Sequence, residues 1–391
     1  MSTRGRTIRV GTRGSDLAVR QAGTVKELLE HRRLTVELVE IETRGDQLRD
    51  ELIHRLGTTG AFVRALDEEV IDGNVDAAVH SMKDVPTDQP DELVVAGIPE
   101  RGPPGDVLVT PDGTALADLP EGATVGTSSL RRGAQLLAER PTLTVEPLRG
   151  NVDTRVEKLL APSLQREHER RLGAAGDLPT DAEAGGDDGN GDDNGDREEG
   201  DGDGGDPAFE RTPGEWFDDL AEIGRRALER DVEGEYDVIC LAESGLDRSG
   251  LLSDLACEGL DPTEFVPAPG QGTLAVTALD GDLAERIHDA VDHPPTRVET
   301  TVERTVLSEL GGGCVAPIGV YARLQGEVVT TAVRVLSRNG REEVAATREL
   351  PVERHAEAAA EFAADLAERG AADLIARARR DQPDGAKRGD E

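Results

Sequence analysis

The sequence predicts an α/β protein with several domains, and three observations support this prediction. Strand-like and helix-like segments alternate along residues 6–100 and again along 105–160, which is typical of βαβ units around a mostly parallel sheet. The chain has 391 residues, which is too long for one small core. A further group of strands and helices follows residue 310 and indicates a third, smaller α/β domain.

The first run begins with an apolar strand pattern and an amphipathic helix pattern. The two patterns then alternate up to residue 81. In chain order, the predicted elements are the strand "TIRVGT", the helix "DLAVRQAGTVKELLEHR", the strand "LTVELVEI", the helix "GAFVRALDEEVIDG" and the strand "VDAAVHS".

The second run is interrupted by an acidic insert at about 161–233. Its predicted elements are the strand "ATVGTSS", the helix "SLRRGAQLLAER", the strand "LTVEPLR", the helix "NVDTRVEKLL" and, beyond the insert, the buried strand "YDVICLA". The stretch 181–206 is mostly Asp, Gly and Glu without apolar periodicity, so it buries too little surface to offset its ordering entropy. We therefore expect an acidic disordered insert, with helical character returning in "EWFDDLAEIGRRALERDV".

The last part of the chain is rich in helix up to residue 310. Three strands are then predicted, "GVYARL", "VVTTAVRVL" and "EEVAATREL", and a long alanine-rich helix follows over 354–379.

The charge balance favours a very salty cytoplasm. The chain has 80 acidic and 44 basic residues, a net charge of −36, and its only lysines are Lys26, Lys83, Lys158 and Lys387. At molar salt the Debye length falls to roughly 3 Å, so repulsion among surface carboxylates is largely screened. The alternative is a moderately acidic protein with an acidic insert, but the excess of acid extends beyond the insert.

The same composition excludes several partners. A net charge of −36 argues against nucleic acid and anionic membranes as partners. No apolar run approaches the ~20 residues of a membrane span. The start "MSTRGRTIRV" has no apolar signal core, so we expect a cytoplasmic protein.

Three turns between a strand and a helix carry arginines and hydroxyls, in "TRGS" (12–15), "GTSSLRR" (126–132) and "LRGNVDTR" (148–155). Helix N-termini with such side chains suit carboxylates or phosphates. Each turn alone is also explained by a plain N-cap, as at Ser15, or by a solvated arginine. Ligands of open α/β sheets lie at the carboxyl ends of strands, so together the turns predict a site for a polyanionic ligand. No nucleotide-binding fingerprint is present.

Two further stretches carry candidate chemistry. In "HSMKDVP", Asp84 follows a strand beside Lys83, either as a weak surface ion pair or as a carboxylate in a cationic site. In "ELGGGCVAPIG" (309–319), three glycines precede Cys314, which is interpreted as a reactive thiol or attachment point, against an incidental cysteine in a turn. Cys240 reads as a buried strand residue and Cys257 as an inert helix residue. No disulfide framework or metal site is predicted.

Seven motifs in this order resemble the hydroxymethylbilane synthase (porphobilinogen deaminase) family, over almost the whole chain except roughly 161–233. They are "TRGS", "TRGD", "VHSMKDVP", "GTSSLRR", "LRGNVDTR", "GQG" and "GGGCVAPIG". The resemblance implies a transferase of tetrapyrrole biosynthesis, which joins four porphobilinogen molecules head to tail, releases ammonia and gives 1-hydroxymethylbilane. It also implies a dipyrromethane cofactor made from the substrate and bound to Cys314 through a thioether.

The resemblance further implies three domains, of which the first two are similar to the halves of a periplasmic binding protein around a cleft, and the third carries the cofactor cysteine loop. We expect domain 1 over 1–101 and 270–292, domain 2 over 102–269 and domain 3 over 293–391. A monomer is expected.

The resemblance implies Asp84 as the catalytic group, and the arginines and hydroxyls of the motifs, joined by Arg248 in "GLDRSG", are expected to bind the carboxylates. The expected cofactor-binding residues are Cys314, Lys83, Ser129, Arg131, Arg132 and Asp84. The expected substrate-binding residues are Arg13, Ser15, Ser81, Thr127, Arg149, Arg155 and Arg248. Bidentate arginines suit a substrate with an acetate and a propionate on every pyrrole.

Two features of the sequence depart from the family pattern, and two alternative functions remain open. Thr59 stands where the family commonly has a lysine in a lid loop, with Arg55 at a nearby basic position, and the acidic insert is absent from the family pattern. One alternative is a non-catalytic, two-lobed protein that binds anionic solutes. The other is a transferase that uses Cys314 directly as nucleophile, although no His or Asn spacing supports it.

Overall fold

The computed structural model describes residues 7–41, 61–176, 209–232, 234–312 and 316–380. The chain divides into two compact units, one of Met1–Arg155 with Tyr236–Glu391 and one of Val156–Glu235. All three β-sheets of the described residues lie in the first unit, so the α/β prediction is confirmed there.

The first sheet has five strands in the order β2-β1-β3-β10-β4. Strands β1, β2 and β3 are parallel, and β10 runs antiparallel between β3 and β4. Helix α1 packs a stripe of Ala22, Val25 and Leu29 against the core, as its amphipathic pattern predicts. The strands are β1 (Thr7–Arg13), β2 (Thr35–Ile41), β3 (Ala77–Ser81), β4 (Leu93–Gly97) and β10 (Leu274–Leu279), and the helices are α1 (Asp16–His31), α2 (Ala61–Ile71) and α8 (Asp282–Val291).

The second sheet also has five strands, in the order β7-β6-β8-β5-β9. Strands β6, β7 and β8 are parallel, and β5 is antiparallel to both β8 and β9. The strands are β5 (Asp106–Val109), β6 (Thr124–Gly126), β7 (Thr144–Glu146), β8 (Val238–Ala242) and β9 (Cys257–Leu260), and the helices are α3 (Leu130–Glu139), the start of α4 (Val152–Ala175) and α7 (Glu243–Ser249).

The two sheets share one topology. In the first sheet, β1 to β4 lie in the order second, first, third and fourth, and the antiparallel β10 lies between the third and the fourth. In the second sheet, β6 to β9 lie in the same order, and the antiparallel β5 lies between the third and the fourth. Strand β5 follows the crossing segment 98–105 and β10 follows the crossing segment 261–273, and both segments run between the two sheets. This equivalence is what a pair of similar halves requires.

The crossing segments lie against each other. The Gly102 N–H donates to the Gly272 carbonyl over 3.1 Å. A Cβ on Gly272, whose φ is +85°, would lie 2.7 Å from the Gly102 oxygen, so only glycine permits this approach. The second glycine of "GQG" therefore allows the two backbone segments to approach each other closely.

The third sheet is antiparallel, in the order β11-β12-β13, and packs against helices through a core that includes Val302, Val333 and Phe362. Its elements are α9 (Pro294–Glu309), β11 (Ile318–Gln325), β12 (Val328–Leu336), β13 (Glu343–Pro351), α10 (His355–Glu368) and α11 (Ala371–Arg380). The single helix predicted over 354–379 is wrong, because Gly370, with φ +103°, separates two helices.

The second compact unit contains the rest of α4 and two short helices, α5 (Pro213–Asp219) and α6 (Glu222–Leu228). The buried Glu157 carboxylate forms ion pairs with Arg226 and Arg230 there. Disorder at the start of the predicted insert of about 161–233 is therefore wrong, since α4 continues to Ala175. The helical character predicted in "EWFDDLAEIGRRALERDV" is confirmed by α5, which begins at a capping box on Thr212, and by α6. Residues 177–208, most of the acidic stretch, lie outside the described residues.

Among the helices of the described residues, none combines the length and the apolar character that crossing a membrane requires.

Candidate functional site

Asp84 lies at the end of a turn that is fixed on both sides. Strand β3 ends at Ser81, and a 3₁₀ turn, Met82–Asp84, follows. The Met82 N–H donates to the Thr273 carbonyl over 2.9 Å, and the Val85 N–H donates to the Met82 carbonyl over 3.1 Å. Met82 and Val85 are buried, whereas Asp84 is exposed. The turn therefore presents its carboxylate to solvent from a rigid base.

The fit of this turn depends on the crossing segment beside it. A Cβ on Gly270 would lie 2.6 Å from Cγ of Met82, and Gly270 itself has φ +73°. Only glycine meets both conditions. The first glycine of "GQG" thus lets the crossing segment support the turn that carries Asp84.

Lys83 connects the two sheets electrostatically. Burial of the ammonium lowers the pKa of Lys83, Asp84 and Asp106 raise it, and Arg132 and Arg155 lower it further. Asp84 follows a strand of the first sheet, whereas Asp106 begins a strand of the second sheet and Arg132 and Arg155 lie in helices that follow its strands. Groups associated with both sheets therefore act on the Lys83 ammonium.

Arg131 and Arg132 are buried and share the carboxylate of Asp106. Nη1 of Arg131 donates to Oδ2 of Asp106 over 2.7 Å, and Nε of Arg132 donates to Oδ1 over 2.8 Å. Nε2 of Gln271 also donates to Oδ1, over 3.0 Å. Burial alone would raise the pKa of Asp106, but the two arginines lower it to about 2. Nε of Arg131 has no hydrogen-bond partner within the described part of the chain.

Arg155 stands in a different environment. Its Nε donates to the Gly150 carbonyl over 2.9 Å. Burial and then the neighbouring Arg132 lower the pKa of Arg155 to about 10. Because burial and a neighbouring cation both disfavour the charged form of Arg155, an anion close to Arg155 would be stabilised. The half-buried Arg149 lies just before this turn, and Thr154 is capped by Oδ1 of Asn151 over 2.9 Å.

The predicted hydroxyls largely cap helices. Oγ of Ser15 accepts from the Ala18 N–H over 3.4 Å at the start of α1, and Oγ of Ser129 accepts from the Arg132 N–H over 3.4 Å at the start of α3. Oγ1 of Thr127 accepts from the Ser129 N–H over 3.2 Å. The half-buried Ser81 makes no cap bond with its side chain. A capping hydroxyl can still donate its own proton to a ligand.

Arg13 and Arg248 complete the predicted set. Arg13 is half-buried at the end of β1, two residues before Ser15. Nη2 of Arg248 donates to the Gly272 carbonyl over 2.6 Å, so this guanidinium holds a crossing segment. Arg248 is not among the groups that shift the pKa of Lys83.

The cysteines differ in reactivity. Burial and the nearby Asp106 raise the pKa of Cys240 to about 12, so its thiol stays protonated and inert, as predicted. Cys257 lies at the start of the edge strand β9 and pairs with Val109 of β5, so its predicted place in a helix is wrong. Its pKa is raised by burial and by Glu243.

Cys314 lies outside the described residues, as do Arg55, Thr59 and "TRGD" (43–46). Both flanks of the cysteine are anchored. Helix α9 leads to it, and the Gly312 N–H donates to the Leu307 carbonyl over 2.8 Å. A Cβ on Gly312 would lie 2.5 Å from Cδ1 of Ile318, so the segment packs closely against that side chain. The chain continues at the buried Ala316.

Sequence reasoning missed several buried groups that organise this region. Glu303 on α9 accepts from Arg101, from the Gly270 N–H and from the Ala322 N–H. Nε2 of His80 lies 3.0 Å from Oδ1 of Asp67. Single polar residues without a recurring spacing gave no pattern from which to predict these contacts.

Two sequence profiles match most of the chain. The profile described as "Porphobilinogen deaminase, dipyromethane cofactor binding domain" matches residues 8–166 and 223–286. The profile "Porphobilinogen deaminase, C-terminal domain" matches residues 298–369.

Curated relatives have the same description. A "Probable porphobilinogen deaminase" of Halobacterium salinarum, a halophile, is 56% identical over 95% of this chain and 98% of that protein. A "Porphobilinogen deaminase" of Oceanobacillus iheyensis is 37% identical over 84% of each chain. Among solved structures, the methionine-binding protein MetQ aligns with 12% identity and a TM-score of 0.33, over 73% of this chain and 89% of that chain. By its profiles and its curated relatives, this chain belongs to the porphobilinogen deaminase family.

Proposed function

We propose that this protein joins four porphobilinogen molecules head to tail, with loss of one ammonia from each, and releases 1-hydroxymethylbilane for tetrapyrrole biosynthesis. The observation that carries the proposal is the exposed Asp84 carboxylate on a fixed turn beside a group of cations from two sheets. A protein that only binds anionic solutes needs the cations but has no use for this carboxylate.

The residues present fit a dipyrromethane cofactor, which carries several carboxylates. Besides burial, Arg132 and Arg155 lower the pKa of Lys83 and Arg132 lowers the pKa of Arg155, and Nε of the buried Arg131 has no partner among the described residues. Such a group is costly without an anion or acceptor. We assign attachment of the cofactor to Cys314 through a thioether. When bound, the cofactor supplies the free α-carbon to which the first substrate unit is added.

The arginines compensate a charge that grows during the reaction. Every added pyrrole brings an acetate and a propionate, and like charges in one site are costly at low effective dielectric. Arg131 and Arg132 hold their geometry through Asp106, and burial and the nearby Arg132 lower the pKa of Arg155 to about 10. We assign Arg149 and Arg155 to contacts with these carboxylates. We assign Arg13, Ser15, Ser81, Thr127 and Arg248 to the same contacts, and Ser129 to the cofactor.

Asp84 performs the proton transfers. As the carboxylic acid it gives a proton to the amine, which leaves as ammonia when its C–N bond breaks. The resulting carboxylate accepts a hydrogen bond from the pyrrole N–H and stabilises the positive charge on the ring. After the new C–C bond forms, the carboxylate removes the α-proton of the attacking ring and returns to its starting state.

We also propose three domains with the boundaries 1–101 with 270–292, 102–269 and 293–391. Their support is that each range supplies every strand of one sheet of the described residues, with β5 in 102–269 and β10 in 270–292. We expect a monomer in the cytoplasm, which size-exclusion chromatography in molar salt and cell fractionation would check.

The deciding experiment is the intact mass of the purified protein. We expect a mass above that of the sequence by one covalent dipyrromethane, its loss in Cys314→Ser, and its retention in the matched control Cys257→Ser. A wild-type protein without the adduct, or an adduct that survives Cys314→Ser, would overturn the assignment. Porphobilinogen added to the wild type should release ammonia, whereas a binding protein would release none.

A further inference from the structure

Arg304 connects the helix that leads to Cys314 with the turn that carries Asp84. Its Nη1 donates to the Val85 carbonyl and its Nη2 to the Pro86 carbonyl, both over 2.8 Å. The two acceptors are successive backbone groups, and the first lies one residue after Asp84. A single guanidinium therefore fixes the orientation of two peptide planes directly after the catalytic residue.

The contact is not a general surface ion pair. Burial lowers the pKa of the half-buried Arg304, and no carboxylate of the described ranges contributes to that shift. A buried charge is costly unless its donors are satisfied, so the two carbonyls are the interaction that keeps Arg304 in place. Only the planar fork of arginine reaches two neighbouring acceptors at once.

The position of Arg304 along α9 gives the contact its significance. Arg304 lies ten residues before Cys314, and α9 ends between them at Glu309. The adjacent Glu303 fixes the same helix to the Gly270 and Ala322 N–H groups, over 2.6 and 2.8 Å. One helix is thus bound to the Asp84 turn, to a crossing segment and to β11, just before the chain reaches the cysteine.

We propose that Arg304 is a positioning residue that holds the Asp84 carboxylate at a fixed place relative to the helix bearing the cofactor loop. This inference rests on the proposed function. Proton transfer requires donor and acceptor within hydrogen-bond reach, and a misplacement of about 1 Å can cost ~10²-fold in rate. Arg304 touches no reacting atom, so its effect passes through the backbone of Val85 and Pro86.

The variants Arg304→Lys and Arg304→Gln test the inference, with Arg297→Lys as matched control. Arg297 lies seven residues earlier, about two turns away on the same side of α9. It also binds the first sheet, through the Val95 carbonyl, but contacts Asp292 instead of the Asp84 turn. The three variants are compared for urea stability, intact mass, and kcat and KM of ammonia release in molar salt.

We expect Arg304→Gln to lower kcat by ~10- to 100-fold with KM within about twofold and with the cofactor mass retained. Arg304→Lys, which keeps the charge but reaches one carbonyl, should recover part of that loss. Arg297→Lys should keep the wild-type kcat even if it loses as much unfolding free energy as the Arg304 variants. Asp84→Glu, combined with Arg304→Lys, should lower kcat by less than the product of the single effects, because both changes displace the same carboxylate.

Equal kcat for the Arg304 and Arg297 variants at equal stability would overturn the positioning role. A double variant whose loss of kcat equals the product of the two single losses would overturn it as well. These outcomes are distinct from failure of the proposed function. A wild-type protein that lacks the cofactor mass and releases no ammonia would refute that function itself, whatever the variants do.

Discussion

Asp106 holds two buried guanidinium groups, so Asp106→Asn is a direct test of the network beneath the proposed site. Its two oxygens accept from Arg131, Arg132 and Gln271 over 2.7, 2.8 and 3.0 Å. The amide keeps the size of the side chain but removes the charge and turns one acceptor into a donor. The new amide N–H would then lie against N–H groups of Arg131, Arg132 or Gln271, which donate and do not accept.

The size of the effect follows from the pKa of the carboxyl group. The pKa of Asp106 is lowered from 3.8 to about 2 in the folded protein. At ~1.4 kcal/mol per pKa unit this corresponds to ~2 kcal/mol of stability. Loss of one partner also leaves two buried guanidinium groups uncompensated, so we expect the variant to lose ~3–5 kcal/mol of unfolding free energy.

The sign of the pH dependence is fixed by the direction of the shift. Because the folded pKa lies below the unfolded value, the contribution is fully present above pH ~4 and is lost as the pH falls towards 2. The wild-type protein should therefore lose this contribution between those values, and the Asp106→Asn difference should shrink over the same interval.

The assay is urea unfolding in molar KCl, followed by circular dichroism at several pH values. Fluorescence is unsuitable, because the single tryptophan, Trp216, belongs to the other compact unit. Asp365→Asn is the matched control, since Asp365 pairs with Arg348 over 2.5 Å with half its side chain exposed. It should cost at most ~0.5 kcal/mol. A loss below ~1 kcal/mol for Asp106→Asn, or one independent of pH, would refute the reasoning.

Three further predictions concern activity. Asp84→Asn should lower ammonia release by ~10²- to 10⁴-fold while Asp84→Glu retains more, and equal rates in both would exclude the carboxylate's role. Deleting 175–210 should leave ammonia release intact, because every described residue of the proposed site lies outside Val156–Glu235; its abolition in folded protein would contradict this. Lowering salt from molar to ~0.1 M should reduce activity and stability together, since the Debye length grows to ~10 Å around a net charge of −36. A protein equally folded and active at both salt concentrations would rule that out.

Local patterns along the chain were sufficient for the elements that begin both halves. Strand β1, helix α1, strand β2 and strand β3 follow the predicted order, because alternating and helical periodicities report directly which side of a segment is buried. The short strands β4, β5, β9 and β10 were not predicted, since a few apolar residues next to glycine and proline give no period to measure.

The residues of the proposed site divide in the same way, into those that the sequence motifs indicate and those that only the structure reveals. The motifs indicated Asp84, Lys83 and the arginines, because charge and hydroxyls at strand ends are visible in one dimension. The partners of Arg131 and Arg132 were invisible, since Asp106 lies 25 and 26 residues away and Gln271 reaches them from a crossing segment.

The sequence by itself determined the α/β class, the family and the chemical character of the site, because periodicity, composition and short motifs are properties of neighbouring residues. Only the tertiary structure decided that Arg131 and Arg132 share the buried carboxylate of Asp106, and that Arg304 binds the segment directly after Asp84 from 218 residues away. Burial and pairing depend on where the crossing segments and α9 bring distant residues together, and no local pattern encodes that distance.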